Sequence, residues 1–129
     1  MTTLTLNGAA ITDIPSFYAE LNRVFMANED WKLGESLDAL NDLLYGGYGA
    51  LHGADTATII WTHYEASREA LGDTATRAWL QSKIAAPHLY NAAHFTRELA
   101  ALNTSAGQTY FARILEVFAE HKNIELQPA

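Results

Sequence analysis

The chain has 129 residues, 49% of them hydrophobic, and a formal net charge of -7, which fits one globular domain and argues against direct binding to nucleic acid or anionic lipid. It contains no cysteine, so disulfides and thiolate metal sites are excluded. No run of about 18 apolar residues is present, and the opening MTTLTLNGAAITDI lacks a basic start followed by an apolar stretch. Neither a membrane span nor a signal peptide is therefore expected, and a cytoplasmic location is.

In chain order, Leu4-Thr5-Leu6 alternates and stops at Asn7-Gly8, which predicts a short strand and a turn. Asp13 is placed to cap a helix with Pro15 in its first turn, and Phe17, Leu21, Val24 and Phe25 follow at helical spacing. Asn28 to Leu33 reads as a loop. A second helix is expected from about Ser36 to Tyr45, ending at Gly46-Gly47, where glycine tolerates a left-handed cap. Thr56 to Thr62 is rich in β-branched residues and reads as a buried central strand, with Trp61 in the core. His63 to Leu71 fits a short helix closed by Gly72.

Asp73 to Asn103 is helical in pattern but splits at Ala86-Pro87, because proline disfavours helix in the residue before it. Trp79, Leu80, Phe95 and Leu99 are expected to pack this segment on the domain. Ser105 with Gln108 forms a candidate capping box for a last helix carrying Phe111, Ile114, Leu115 and Phe118. Ile124-Glu125-Leu126 closes the chain as a strand. Strands separated by helices favour right-handed crossovers. The expected fold class is α/β, a small parallel three-stranded sheet covered by helices in a three-layer-like arrangement, with strands near 3–7, 56–62 and 123–127.

The charge is unevenly spread. Residues 1–55 hold eight acids and two bases, whereas residues 56–129 hold seven acids and six bases. Glu29 to Asp42 alone contains five acids and one base. At about 100° per residue, Leu37, Leu40, Leu43 and Leu44 fall on one side of the second helix, and Glu35, Asp38, Asn41, Asp42 and Tyr45 on the other. Asp38 and Asp42 stack one turn apart, a spacing that costs a few tenths of a kcal/mol between like charges. Arginines and lysines on a partner, or a divalent cation, could relieve that repulsion. Three readings of the pair compete: chance surface charge, metal binding and acid–base catalysis. Metal binding needs more converging oxygens. Acid–base catalysis needs carboxylates facing each other across a cleft rather than side by side on a convex helix. The histidines show no ligand spacing such as i, i+4, so neither a metal nor a cofactor is expected.

The segment Gly34-Glu35-Ser36-Leu37-Asp38-Ala39-Leu40-Asn41-Asp42-Leu43-Leu44-Tyr45-Gly46 resembles the inhibitory loop and helix of the barstar family. Ile60-Trp61-Thr62-His63-Tyr64-Glu65-Ala66-Ser67-Arg68-Glu69-Ala70-Leu71 is similar to that family's central strand and following helix. Ile114-Leu115-Glu116-Val117-Phe118-Ala119-Glu120 is similar to its last helix, and Leu6-Asn7-Gly8 fits its opening turn. The resemblance implies a non-enzymatic inhibitor, an immunity-type protein. Its acidic helix would enter the basic active-site cleft of an RNase or RNase-type toxin and take the places of RNA phosphates. It also implies anionic contacts at Asp38, Asp42 and Glu120, and a close backbone approach at Gly46. Glu35, Asn41, Tyr45, Trp31 and Lys32 complete the expected partner-binding set.

The chain departs from the family pattern in three places. Asn41 stands where the prototype has an aromatic side chain. Lys32-Leu33, preceded by Trp31, stands where it has tyrosines. The 33 residues from Asp73 to Ser105 replace a much shorter connection, so residues 1–129 are expected to form one domain with a helical insertion at about 73–105. Two other readings stay open at this point: a module regulating a non-RNase partner, and a small hydrolase using Asp38 and Asp42. The sequence leaves the oligomeric state undetermined.

Overall fold

A computed structural model describes residues 2–104 and 107–129. Strand β1 (Thr2–Asn7) leads into helix α1 (Ile14–Phe25), α2 (Leu37–Leu44), β2 (Ala57–Thr62) and α3 (Tyr64–Ala70). Then come α4 (Asp73–Ile84), α5 (Ala92–Ala101), α6 (Tyr110–Glu120) and β3 (Ile124–Pro128). The three strands form one parallel sheet in the order β1-β2-β3. This is the small α/β fold that the strand–helix order predicts, and each strand lies within a residue or two of its expected place.

Register decides which side chains meet. Leu4 pairs with Ile59 and Leu6 with Trp61, while Ile59 pairs with Leu126 on the other side. Because strand side chains alternate, these residues share one face. Leu6, Ile59 and Trp61 are fully buried there. The opposite face carries Thr3, Thr5, Glu125 and Gln127, which are exposed. Helices α1 and α6 pack on the apolar face through Trp61. Its ring stacks on Phe17 at 5.7 Å and meets Phe111 edge-on at 5.5 Å. Trp61 Nε1–H donates to Ser67 Oγ at 2.9 Å, which satisfies the polar end of the buried indole.

Local signals account for the turns and caps. The Asp13 side chain accepts from Ser16 N–H while Ser16 Oγ accepts from Asp13 N–H, a reciprocal cap, with Pro15 in the first turn. Gly8 follows β1 because a Cβ there would lie 2.0 Å from the Thr62 carbonyl oxygen, inside contact range of backbone. Glu20 is buried on α1, its carboxylate accepting from Asn7 N–H at 2.7 Å and from both Nε and Nη2 of Arg23. Ser105 lies outside the described residues. Helix α6 starts at Tyr110, where Thr109 Oγ1 accepts from Ala112 N–H at 3.1 Å.

Helices α4 and α5 form a hairpin broken over residues 85–91, around Pro87. Its first helix is tied to α6. The buried Thr76 hydroxyl donates to the Gly72 carbonyl and accepts from Tyr110 N–H, both at 2.7 Å. Leu80 is fully buried, and Trp79 meets Tyr110 edge-on at 4.9 Å. The second helix sits more lightly. It has no buried residue, Phe95 touching Trp79 edge-on at 6.2 Å and Leu99 remaining half-buried. Among the described residues no helix is long and apolar enough to cross a membrane.

Candidate functional site

Helix α2 is fixed by its leucines. Leu40, Leu43 and Leu44 are buried and Leu37 is half-buried, which sets the rotation of the helix about its axis. Ser36 Oγ accepts from Ala39 N–H at 3.1 Å and starts it. Gly46 ends it with φ +80°, next to the Leu51 carbonyl, so the glycine answers an internal demand of the turn. Asp38 and Asp42 follow from that rotation, both exposed on the side away from the leucines. Neither forms a hydrogen bond or ion pair with an Arg or Lys among the described residues, and the same holds for Glu35. Asp38 sits in the first turn, where the helix dipole favours an anion, and Asp42 in the last, where it does not.

The surroundings divide the face. On one side, Asp42 lies towards Tyr48, whose hydroxyl is pushed up by burial and then by the Asp42 charge. Tyr48 packs against Trp31 at 4.7 Å, and Trp31 is 45% exposed beside the exposed Lys32. Glu29, counted with the acidic run, has an internal task, accepting from Gly49 N–H at 3.0 Å to tie this loop to the turn after α2. On the other side, Glu35 and Asp38 lie over a buried tyrosine pair. The Tyr18 and Tyr110 hydroxyls are 2.5 Å apart and join α1 to α6. Tyr18 is held well above the usual phenol range by burial, then by Tyr110, with smaller pushes from Glu35 and Asp38.

At the third edge the geometry differs from the outward-facing set that helical phase alone gives. Asn41 is half-buried, its Oδ1 accepting from His121 Nε2 at 2.7 Å, so its amide is engaged within the chain. Tyr45 meets the same imidazole edge-on at 4.7 Å while remaining 73% exposed. His121 follows Glu120 at the end of α6, so this contact brings the exposed Glu120 to the margin of the α2 face. His121 is the residue that helical phase misses. It lies 80 positions from Asn41, and only a buried polar ring in need of a partner hints at it.

The arrangement is a convex acidic ridge. Asp38 borders a groove of about 220 Å³ that Asp42 does not line, so the two carboxylates do not face one another across a common cleft. Among the described residues no cluster of His, Asp or Glu is placed to hold a metal. The model of one protein family, described as Barstar (barnase inhibitor), matches residues 1–86. That span contains β1, α1, α2, β2, α3 and α4, and with them the residues of α2 itself; α5, α6 with Glu120, and β3 lie beyond it. No curated protein matches the chain significantly.

Proposed function

The chain belongs to the barstar family, and from that premise we propose that it is a proteinaceous, immunity-type inhibitor of an RNase that it blocks with the acidic face of α2. One observation carries the reading. Asp38 and Asp42 stand exposed, one turn apart, on a helix locked by Leu40, Leu43 and Leu44, and neither forms an ion pair among the described residues. Their mutual repulsion is a small cost to the isolated fold. A basic cleft built to hold RNA phosphates removes that cost and loses its own like-charge repulsion in exchange. Because the helix is fixed before binding, little conformational entropy is lost on association. An acidic surface meeting a basic one also raises the encounter rate.

In this reading Asp38 and Asp42 take phosphate positions, Glu35 and Glu120 flank them, and Trp31, Lys32, Tyr45 and Gly46 shape the rim. Asn41 acts through its bond to His121, fixing the margin where Glu120 sits. We read residues 1–129 as one domain in which residues 73–105 are a helical insertion. Support comes from α6 and β3, which resume the packing on Trp61 and the pairing with β2. The test is enzymatic. Titrating barnase, or an RNase of its type, with the chain should abolish RNA cleavage at one inhibitor per enzyme, and RNA added to the enzyme before the chain should slow the onset of inhibition in proportion to its concentration. An onset rate indifferent to RNA concentration would place the contact outside the substrate site.

A further inference from the structure

The groove beside the start of α2 carries an unused set of side chains. Its walls include Glu35, Leu37 and Asp38 on one side and Trp79, Lys83 and Tyr90 of the hairpin on the other. A neighbouring cleft of about 390 Å³, between the start of α1 and α4, shares Glu35, Trp79 and Lys83 with it. The groove's 220 Å³ is below the roughly 300–1,000 Å³ of drug-sized pockets and suits one long side chain. Its rim bears two carboxylates, Glu35 and Asp38, that form no ion pair among the described residues, and its wall bears aromatic rings. Lys83 lines it too, but its ammonium lies over the Tyr90 ring, 4.0 Å from the centroid. At the hairpin turn the apolar rim continues outward, with Leu89 68% and Tyr90 39% exposed.

Carboxylates beside aromatic faces select a particular cation. A guanidinium stacks flat on a ring and at the same time offers two parallel N–H groups to a carboxylate, whereas an ammonium meets ring or carboxylate as a compact point charge without that planar, paired geometry. We infer that this groove receives an arginine side chain of the partner enzyme, carried outside its catalytic cleft, and that Lys83 holds the cation's place on Tyr90 in the free chain. The inference rests on the proposed inhibition for the identity of the partner. A basic RNase supplies surface arginine, and the groove is continuous with the α2 face because Asp38 belongs to both. The hairpin thereby becomes the second wall of the binding surface and a determinant of which enzyme fits.

The experiment uses the full chain and N-acetyl-arginine amide, followed by NMR at the Trp79 indole N–H up to about 100 mM ligand, the range that weak single-side-chain binding requires. Saturable shifts are expected, with N-acetyl-lysine amide binding more weakly. Glu35→Gln and Tyr90→Ala should each weaken arginine binding about three- to fivefold, the scale of one exposed cation–π or ionic contact. Lys83→Met should tighten it, and the matched loss of Lys122 (Lys122→Met), an exposed lysine that lines no part of the groove, should not. Glu35, Tyr90 and Lys122 are exposed and Lys83 is half-buried, and unaltered spectra elsewhere report that the fold is kept. Absence of saturation, equal binding of the lysine compound, or indifference to both Glu35→Gln and Tyr90→Ala would overturn the inference. No enzyme enters this titration. Failure of the chain to inhibit any barnase-type RNase would remove the partner named here while leaving the titration result as it stands, so the two failures are distinguishable.

Discussion

Removing one hydroxyl from the Tyr18–Tyr110 pair should destabilise the protein more than removing both. The two oxygens are 2.5 Å apart, and the residues are 0% and 1% exposed. Tyr18→Phe leaves the Tyr110 hydroxyl buried with its partner gone, and Tyr110→Phe does the reverse. An orphaned buried hydroxyl costs about 1–3 kcal/mol, whereas replacing both partners by apolar groups of the same shape is nearly neutral. Each single variant should therefore lose about 2 kcal/mol and the double variant less than about 1 kcal/mol, a coupling within the usual range for contacting residues. With urea slopes of about 1–3 kcal/mol/M, the single variants should shift the unfolding midpoint by roughly 1 M at unchanged slope. The same pair predicts alkaline sensitivity. Tyr18 is raised above its ordinary value, so its contribution is intact below about pH 10 and is lost as pH climbs from there towards the folded value. Single variants costing under about 0.5 kcal/mol, or effects that simply add, would refute the claim that the hydroxyls satisfy each other.

Other consequences concern the rest of the fold. Asp42→Ala should leave stability unchanged or raise it by up to about 1 kcal/mol, because it removes both the repulsion with Asp38 and an anion from the last turn of α2; Asp38→Ala should be closer to neutral, since the first turn favours its charge. Denaturant midpoints check both. Glu20→Ala should cost about 1–3 kcal/mol by stranding Asn7 N–H. Burial opposes Glu20 ionisation, but Arg23 and Asn7 N–H outweigh it and hold the carboxyl below its ordinary value. The stability it supplies is thus present above about pH 4.3 and lost as pH falls through the lower folded value, which an acid titration of wild type against Glu20→Gln would reveal. Gly8→Ala should cost about 3 kcal/mol, the upper end for overpacking, because the new Cβ meets the Thr62 backbone oxygen that Gly8 lets approach.

What could be read from the sequence was what depends on local periodicity. The strand–helix order, the ends of α2 and the outward phase of Asp38 and Asp42 follow from leucine spacing and from Ser36 and Gly46. What could not be read depends on side chains meeting across the fold. Asn41 shares the outward phase of Asp42, yet His121 claims its amide from 80 residues away. Glu29 is one of a run of acids, but Gly49 N–H makes it a structural acceptor. Tyr18 and Tyr110 lie 92 positions apart, and neither spacing nor composition links them. The hairpin illustrates the same division. Its two helices and the break around Pro87 follow from pattern, whereas the way it is anchored, through Thr76 and Trp79 on Tyr110, follows from tertiary packing.

The central claim is that two carboxylates on α2 carry the inhibition. It is tested most directly by titrating one barnase-type RNase that the wild-type chain inhibits with the Asp38→Ala/Asp42→Ala double variant, whose fold is verified by its denaturation curve. Truncating one partner of a desolvated charge pair costs about 2–5 kcal/mol, a range to which the barnase–barstar pair itself contributes. Losing two should weaken inhibition by about 4 kcal/mol or more, a factor of about a thousand. Full inhibition by the double variant at the same inhibitor concentration would contradict the account.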